Sequence, residues 1–104
     1  MQYRVEMSEK ACEQYDNILW YIAYVLKNPQ ALQAVMDDYD DAITELENNA
    51  GVFDFCKSER LRKLGLRKLF FKNHKYLFVY RIKDEYSVIV EGMYHELQDY
   101  ENAL

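Results

Sequence analysis

Leu64-Gly65-Leu66-Arg67-Lys68-Leu69-Phe70-Phe71, then Tyr76-Leu77-Phe78-Val79-Tyr80-Arg81-Ile82, then Tyr86-Ser87-Val88-Ile89-Val90-Glu91-Gly92-Met93-Tyr94: these three runs decide how the sequence folds. Each is seven to nine residues long and rich in Val, Ile, Phe and Tyr, the side chains that suit a pleated, half-buried surface. Short polar corners, Lys72-Asn73-His74-Lys75 and Lys83-Asp84-Glu85, separate them. The pattern predicts a three-stranded antiparallel meander. The rest of the chain before it reads as built to cover one face of that sheet. Alternation puts Tyr76, Phe78 and Tyr80 on one face, as core. Arg81 points the other way, with Glu91 of the neighbouring strand as an ion-pair candidate. Arg67, Leu69 and Phe71 share one side of their strand, and Lys68 and Phe70 the other. His74, in a hairpin corner, reads as a solvated turn residue.

Upstream, Tyr3, Val5 and Met7 alternate with Arg4 and Glu6, a short period-2 strand. Ser8 stands at an N-cap position, with Glu9 in the first turn. Ala11, Tyr15, Ile18, Leu19, Ile22, Val25 and Leu26 then recur at helical spacing and predict a helix over 9–27. Trp20, Tyr21 and Tyr24 broaden its stripe, so this helix is expected to contact more than one layer. Asn28-Pro29 stops it and starts another, because Pro suits the first helical position. Leu32, Val35, Met36, Tyr39, Ile43 and Leu46 mark that second helix, over 29–48. Asp37, Asp38, Asp40, Asp41, Glu45 and Glu47 read as its solvated outer face.

Residues 52–62 have no period and read as a loop, with Phe53 and Phe55 expected under the sheet. Residues 98–104 suffice for one or two helical turns. The fold class is α+β: an N-terminal strand, an antiparallel helical hairpin, a three-stranded antiparallel meander and a short helical tail.

At 104 residues, half of them apolar, the chain is expected to form one domain over 1–104 with a real core. It has no run of eighteen apolar residues and no apolar leader, so the reading is a cytoplasmic protein without a membrane partner. Cys12 and Cys56 are expected as free thiols, and no Cys-His cluster has zinc spacing. Neither a metal nor a small-molecule cofactor is expected. The net charge of −5 is unevenly spread. Between Lys57 and Lys83 stand ten basic residues and one acidic, a surplus of +9. The remainder holds three basic and seventeen acidic, a surplus of −14. That partition keeps phosphate-bearing or acidic partners in play despite the acidic whole.

The chain resembles the RelE/ParE superfamily, toxins of bacterial type II toxin–antitoxin modules. The resemblance rests on Tyr3-Arg4-Val5 followed by Ser8 and the helix, on Asn28-Pro29-Gln30-Ala31, and on Gly65-Leu66-Arg67-Lys68-Leu69. It rests further on the run 76–82 and on His95-Glu96-Leu97-Gln98-Asp99-Tyr100-Glu101-Asn102. It implies a growth-inhibiting toxin of a plasmid stabilisation type of module, neutralised by a cognate antitoxin whose C-terminal segment wraps it. It leaves two targets open: DNA gyrase in the ParE-like branch and ribosome-bound mRNA in the RelE-like branch. A non-toxic interaction protein of the same fold is a third reading.

RelE-like cleavage needs a base for the ribose 2′-hydroxyl, cations for the phosphorane and an acid for the leaving oxygen. Members of that branch commonly carry an arginine beside the aromatic that opens the third strand. The matching position here is Leu77. For that reason, and because the helices are acidic, gyrase-type inhibition is favoured, and whether the chain is an endoribonuclease stays open. The catalytic candidates that remain are Arg67, Arg81 and His95, with His95 alternatively orienting the tail. Lys57, Arg60, Arg62 and Lys63 are the candidates for binding target or antitoxin. The competing reading pairs them with the acidic second helix.

Overall fold

The computed structural model describes residues 2–73 and 75–104; His74, read above as a turn residue, lies outside them. The elements run β1 (Arg4–Met7), α1 (Glu9–Trp20), a π-helical turn (Tyr21–Val25), α2 (Pro29–Asn49) and a 3-10 turn (Ala50–Val52). After these come α3 (Glu59–Lys63), β2 (Arg67–Phe70), β3 (Tyr76–Ile82), β4 (Ser87–His95) and α4 (Tyr100–Ala103). The meander is as the three runs predict: β2 pairs antiparallel with β3, and β3 with β4. The sheet has a fourth member. β1 lies parallel to β4, Arg4 opposite Ser87 through Met7 opposite Val90, so the strand order is β1-β4-β3-β2.

Local chemistry sets the helix starts. The Ser8 side-chain oxygen accepts from the Ala11 N–H at 3.0 Å, and its hydroxyl donates to the Glu91 main-chain oxygen at 3.1 Å. One side chain thus caps α1 and ties it to β4. Asn28 caps α2 in the same way, accepting from Ala31 N–H at 3.0 Å, with Pro29 in the first turn.

The hairpin covers one face of the sheet. Ala11, Ala42, Leu46 and Ala50 pack on Leu69, Phe71, Phe78, Tyr80, Val88, Val90 and Met93. Tyr15 stacks on Tyr39 with ring centroids 4.0 Å apart, and Tyr39 meets Phe78 edge-on at 5.5 Å. Burial and nearby negative groups push the Tyr15 phenol up to about 12. The Tyr80 hydroxyl donates to the Ala50 main-chain oxygen at 2.6 Å, closing the far end of the core.

The chain does not cover one face only. Segment 52–62 was expected as loop, but it contains α3, and α3 with α4 covers the other face. There Cys56, Leu61, Leu66, Leu77, Val79 and Tyr94 form a second buried cluster, with Tyr100 and Leu104 packed on it. One turn of helix holding the single apolar residue Leu61 shows no period in sequence. Phe53 packs into the first core as expected. Phe55 does not tuck under the sheet: it stays 42% exposed, beneath the Arg67 guanidinium at 3.9 Å from its ring centre. Cys12 is exposed, Cys56 is buried, and both are free. Among the described residues no helix is long and apolar enough to cross a membrane.

A bulge reconciles the two faces. Val79 opposes Gly92 while Tyr80 opposes Val90, so Glu91 is an extra residue in β4. It flips the alternation: Val88 and Val90 face the hairpin, and after the bulge it is Met93 that does so. Tyr94 then lies on the second face, its ring folded back over Gly92. A Cβ on Gly92 would stand 2.5 Å from Tyr94 Cε2. Gly92→Ala is expected to displace this buried ring and cost about 1–3 kcal/mol. Urea unfolding followed by far-UV circular dichroism measures it, and a loss below the experimental error would mean the ring has room to move.

Candidate functional site

The basic segment does not present one surface. Arg67 is used inside the chain: its Nη1 donates to the main-chain oxygens of Phe53 at 2.7 Å and Gly51 at 3.3 Å, and its plane lies on Phe55. Lys68, on the opposite side of β2, sits 3.8 Å from Glu101 with little exposure of either side chain. Glu101 also accepts from the N–H groups of Ser58 at 2.6 Å and Lys57 at 3.0 Å. A carboxylate from α4 therefore satisfies orphan donors at the start of α3. Burial raises the pKa of this carboxyl, but the two N–H donors and the lysines outweigh that and hold it below its usual value. The neighbouring Cys56 thiol is pushed up, by burial first and then by Glu101, so it is not a reactive thiolate.

The loop cations gather on and before α3. Arg60 donates to the main-chain oxygens of Leu104 at 3.1 Å and Glu101 at 3.4 Å. Lys63 pairs with Glu59 one turn earlier at 3.4 Å, both largely exposed. Lys57 and Arg62 are exposed. None of these contacts is with α2, the partner the competing reading assigned them.

The three catalytic candidates do not converge. Arg67 opposes Tyr80 in the ladder and shares its face, whereas Arg81, one residue on, projects to the other. There Arg81 Nε meets Glu91 Oε2 at 3.4 Å, the pair expected from the alternation. His95 opposes Tyr76, at the far end of β3 from Arg81, about 16 Å along the strand at 3.3 Å per residue. Its Nδ1 accepts from the Leu97 N–H at 3.1 Å, and its ring meets Tyr76 edge-on at 5.3 Å. His95 thus shapes the turn into the tail. Leu77 is fully buried in the second cluster.

A groove beside the helical hairpin, where the sequence reading looks for a peptide that folds on binding, lies between α2 and β2 and is about 410 Å³ in volume. Its floor is apolar (Ala42, Phe53, Leu69, Phe70 and Phe71), and its wall carries Asp41 and Glu45, with Lys72 at one side. β2 is the edge strand here. The segment Asp54–Phe55 closes half of that edge, through Lys68 N–H to Asp54 O at 3.0 Å and the Phe55–Arg67 bridge. Phe70, beyond this cover, is 47% exposed. At the end of the groove the structure corrects one residue of the acidic face. Asp38 is 2% exposed and accepts from both the main-chain and side-chain N–H groups of Asn73 at 3.1 Å. The signal was available: Val35, Asp38, Ala42 and Leu46 share one helical stripe, so Asp38 stands among core positions.

No protein-family model matches the sequence, and no curated protein matches it. Among solved structures, a chain of one described as the chromosomal ParDE TA system from P. aeruginosa superposes with a TM-score of 0.71 at 18% identity. The match covers 90% of this chain and 96% of that one. The α+β fold read from the sequence therefore holds in three dimensions, and the chain shares the fold of that ParDE chain.

Proposed function

We propose that the chain is the toxin of a type II toxin–antitoxin module and that a co-encoded antitoxin neutralises it. The observation that carries this reading is the fold likeness to a ParDE chain along nearly the full length of both. The groove beside α2 supports it. An apolar floor next to a half-open strand edge suits a peptide that orders on binding, adding main-chain hydrogen bonds and an apolar anchor. The exposed Arg62 and Lys57, on the α3 side of the sheet, suit acidic residues of an antitoxin. Gyrase-type inhibition is the favoured target. Buried Leu77 leaves no cation at the third-strand position, and Arg67, Arg81 and His95 lie on separate parts of the sheet.

Inducing the chain alone is expected to stop growth, and co-expressing the neighbouring gene to restore it. Supercoiling defects would support the gyrase target, and cleaved transcripts would overturn that part in favour of RNA cleavage. Harmless expression of the folded protein would overturn the toxin reading itself. Replacing Arg60 and Arg62 together by alanine is expected to weaken antitoxin binding by about 1–3 kcal/mol. The loss should shrink as salt rises, since exposed charges are screened beyond about 8–10 Å. Arg62→Ala alone is the cleaner variant, because Arg60 also holds the tail. Calorimetric titration decides: unchanged affinity with a lower melting temperature would make these cations structural.

A further inference from the structure

The tip of the helical hairpin is the least expected surface of the molecule. Val25 and Leu26 belong to the apolar stripe read for α1, and Trp20, Tyr21 and Tyr24 are read as broadening it, yet each is between 50% and 66% exposed. The backbone explains the change. At Tyr21 the helix switches to π geometry, with Leu26 N–H bonding Tyr21 O at 3.0 Å, and Ile22 is the one buried residue of that turn. The wider turn breaks the 3.6-residue period that would have carried Val25 and Leu26 into the core. Lys27 then adopts φ +50°, a left-handed conformation rare outside glycine, to turn the chain into α2. Trp20 and Tyr24 contact each other, ring centres 5.7 Å apart, on the outside of the fold.

The tip is also nearly free of charge. From Asn17 to Met36 the only charged residue is Lys27, in a chain where 30% of residues are charged. Depletion of charge around aromatic side chains marks the core of protein interfaces. We propose that this tip is a self-association surface and that its occupant is the same tip of a second copy of this chain.

Two arguments select a second copy. The first is electrostatic. The chain carries −5 overall, and the exposed acids of α2 would repel their own copies. A two-fold contact places a patch against itself, so it must form where like charges do not meet, and the tip is such a place. The same charge disfavours an anionic membrane. The second argument is area. An aromatic side chain buries 150–250 Å² when covered, so Trp20, Tyr21 and Tyr24, half or more exposed, offer roughly 100–150 Å² each, and the smaller Val25 and Leu26 under about 100 Å² each. Two copies together would bury about 1,000 Å², the lower bound of a specific interface. The inference concerns a different surface from the groove and does not depend on the toxin reading.

Trp20 is the chain's one tryptophan, so its emission reports on this surface directly. Sedimentation velocity of the full chain, from low micromolar to several hundred micromolar, is expected to show a monomer–dimer equilibrium. Trp20 emission should shift to the blue along the same curve. Adding salt should leave the dimer intact or tighten it, by screening the net repulsion. Tyr24→Glu, at an exposed position, should weaken the dimer at least tenfold while the far-UV spectrum stays unchanged. A monomer over the whole range with fixed emission would overturn the proposal. So would a dimer that salt dissolves, or one that Tyr24→Glu leaves intact. A monomer whose Trp20 emission moves only when the co-encoded protein is added would assign the tip to that partner and equally overturn it.

Discussion

Replacing Phe78 by alanine is expected to remove about 3–5 kcal/mol of stability, the range for deleting a buried aromatic. Phe78 is fully buried at the centre of β3. Its ring meets Tyr39 edge-on at 5.5 Å and Phe71 edge-on at 5.0 Å. It therefore joins three layers: the stacked tyrosines of the hairpin, the sheet, and the corner after β2. Tyr39 is held flat against Tyr15 at 4.0 Å, which keeps it from filling the space. A domain of this kind has a total of about 5–15 kcal/mol, so the variant loses about a fifth of it at the least and, at the low end, all of it. The melting temperature should fall by at least about 12 °C, at roughly 4–8 °C for each kcal/mol. Circular dichroism is the right probe, because Trp20 lies on the surface and its emission hardly registers the core. A fall of only a few degrees would show that the hairpin does not lean on this ring.

Glu101→Ala should cost about 2–4 kcal/mol near neutral pH, from charge-assisted bonds lost and a lysine left with little solvent. The carboxylate takes the N–H groups of Lys57 and Ser58 and faces Lys68, whose side chain is only 12% exposed. Without it the start of α3 and the docking of α4 lose their common anchor, and the second cluster opens at Tyr100 and Leu104. The pH dependence has a definite sign. The carboxyl titrates below its ordinary value in the folded chain. Its stabilisation is therefore complete above the unfolded carboxylate range and is lost as pH falls through the folded value. The gap between Glu101→Ala and the parent chain should be widest at neutral pH and close in acid. Urea midpoints across that range test this, and a gap that persists undiminished in acid would remove the carboxylate from the account.

What could be read from the sequence was whatever repeats. The three β runs and both long helices carry seven or more residues of period, and each was found, although the first helix gives way to the π turn at Tyr21. The ion pair of Arg81 and Glu91 followed from alternation alone. Three features carry no period and went unread. α3 is a single turn around Leu61, and its anchor, Glu101, comes from more than forty residues away. The π turn at Tyr21 changes the count by one residue, so the stripe that ends at Ile22 looked in sequence as though it ran on to Leu26. The bulge at Glu91 moves Met93 and Tyr94 to faces that simple alternation reverses. Asp38 was misread for a different reason: the acidic run around it outweighed its place in the apolar stripe. The candidate site was less legible than the fold. Charge density along the chain located the cations, but only the folded contacts show that Arg67, Lys68, Arg60 and Lys63 are already occupied.

The parallel pairing of β1 with β4 fixes when this chain can become itself during synthesis. Ser8 and Glu91 are 83 residues apart and hydrogen-bonded. The first strand to leave the ribosome is thus among the last to find its place. Until Ser87–His95 has emerged, β1 has no ladder partner and the hairpin helices lack the part of their floor made by Val88, Val90 and Met93. Contacts of such separation form late, after the loop between them has been closed at an entropic cost. A product of interrupted translation that stops short of β4 is therefore not a smaller working protein but an open chain, readily cleared by proteases.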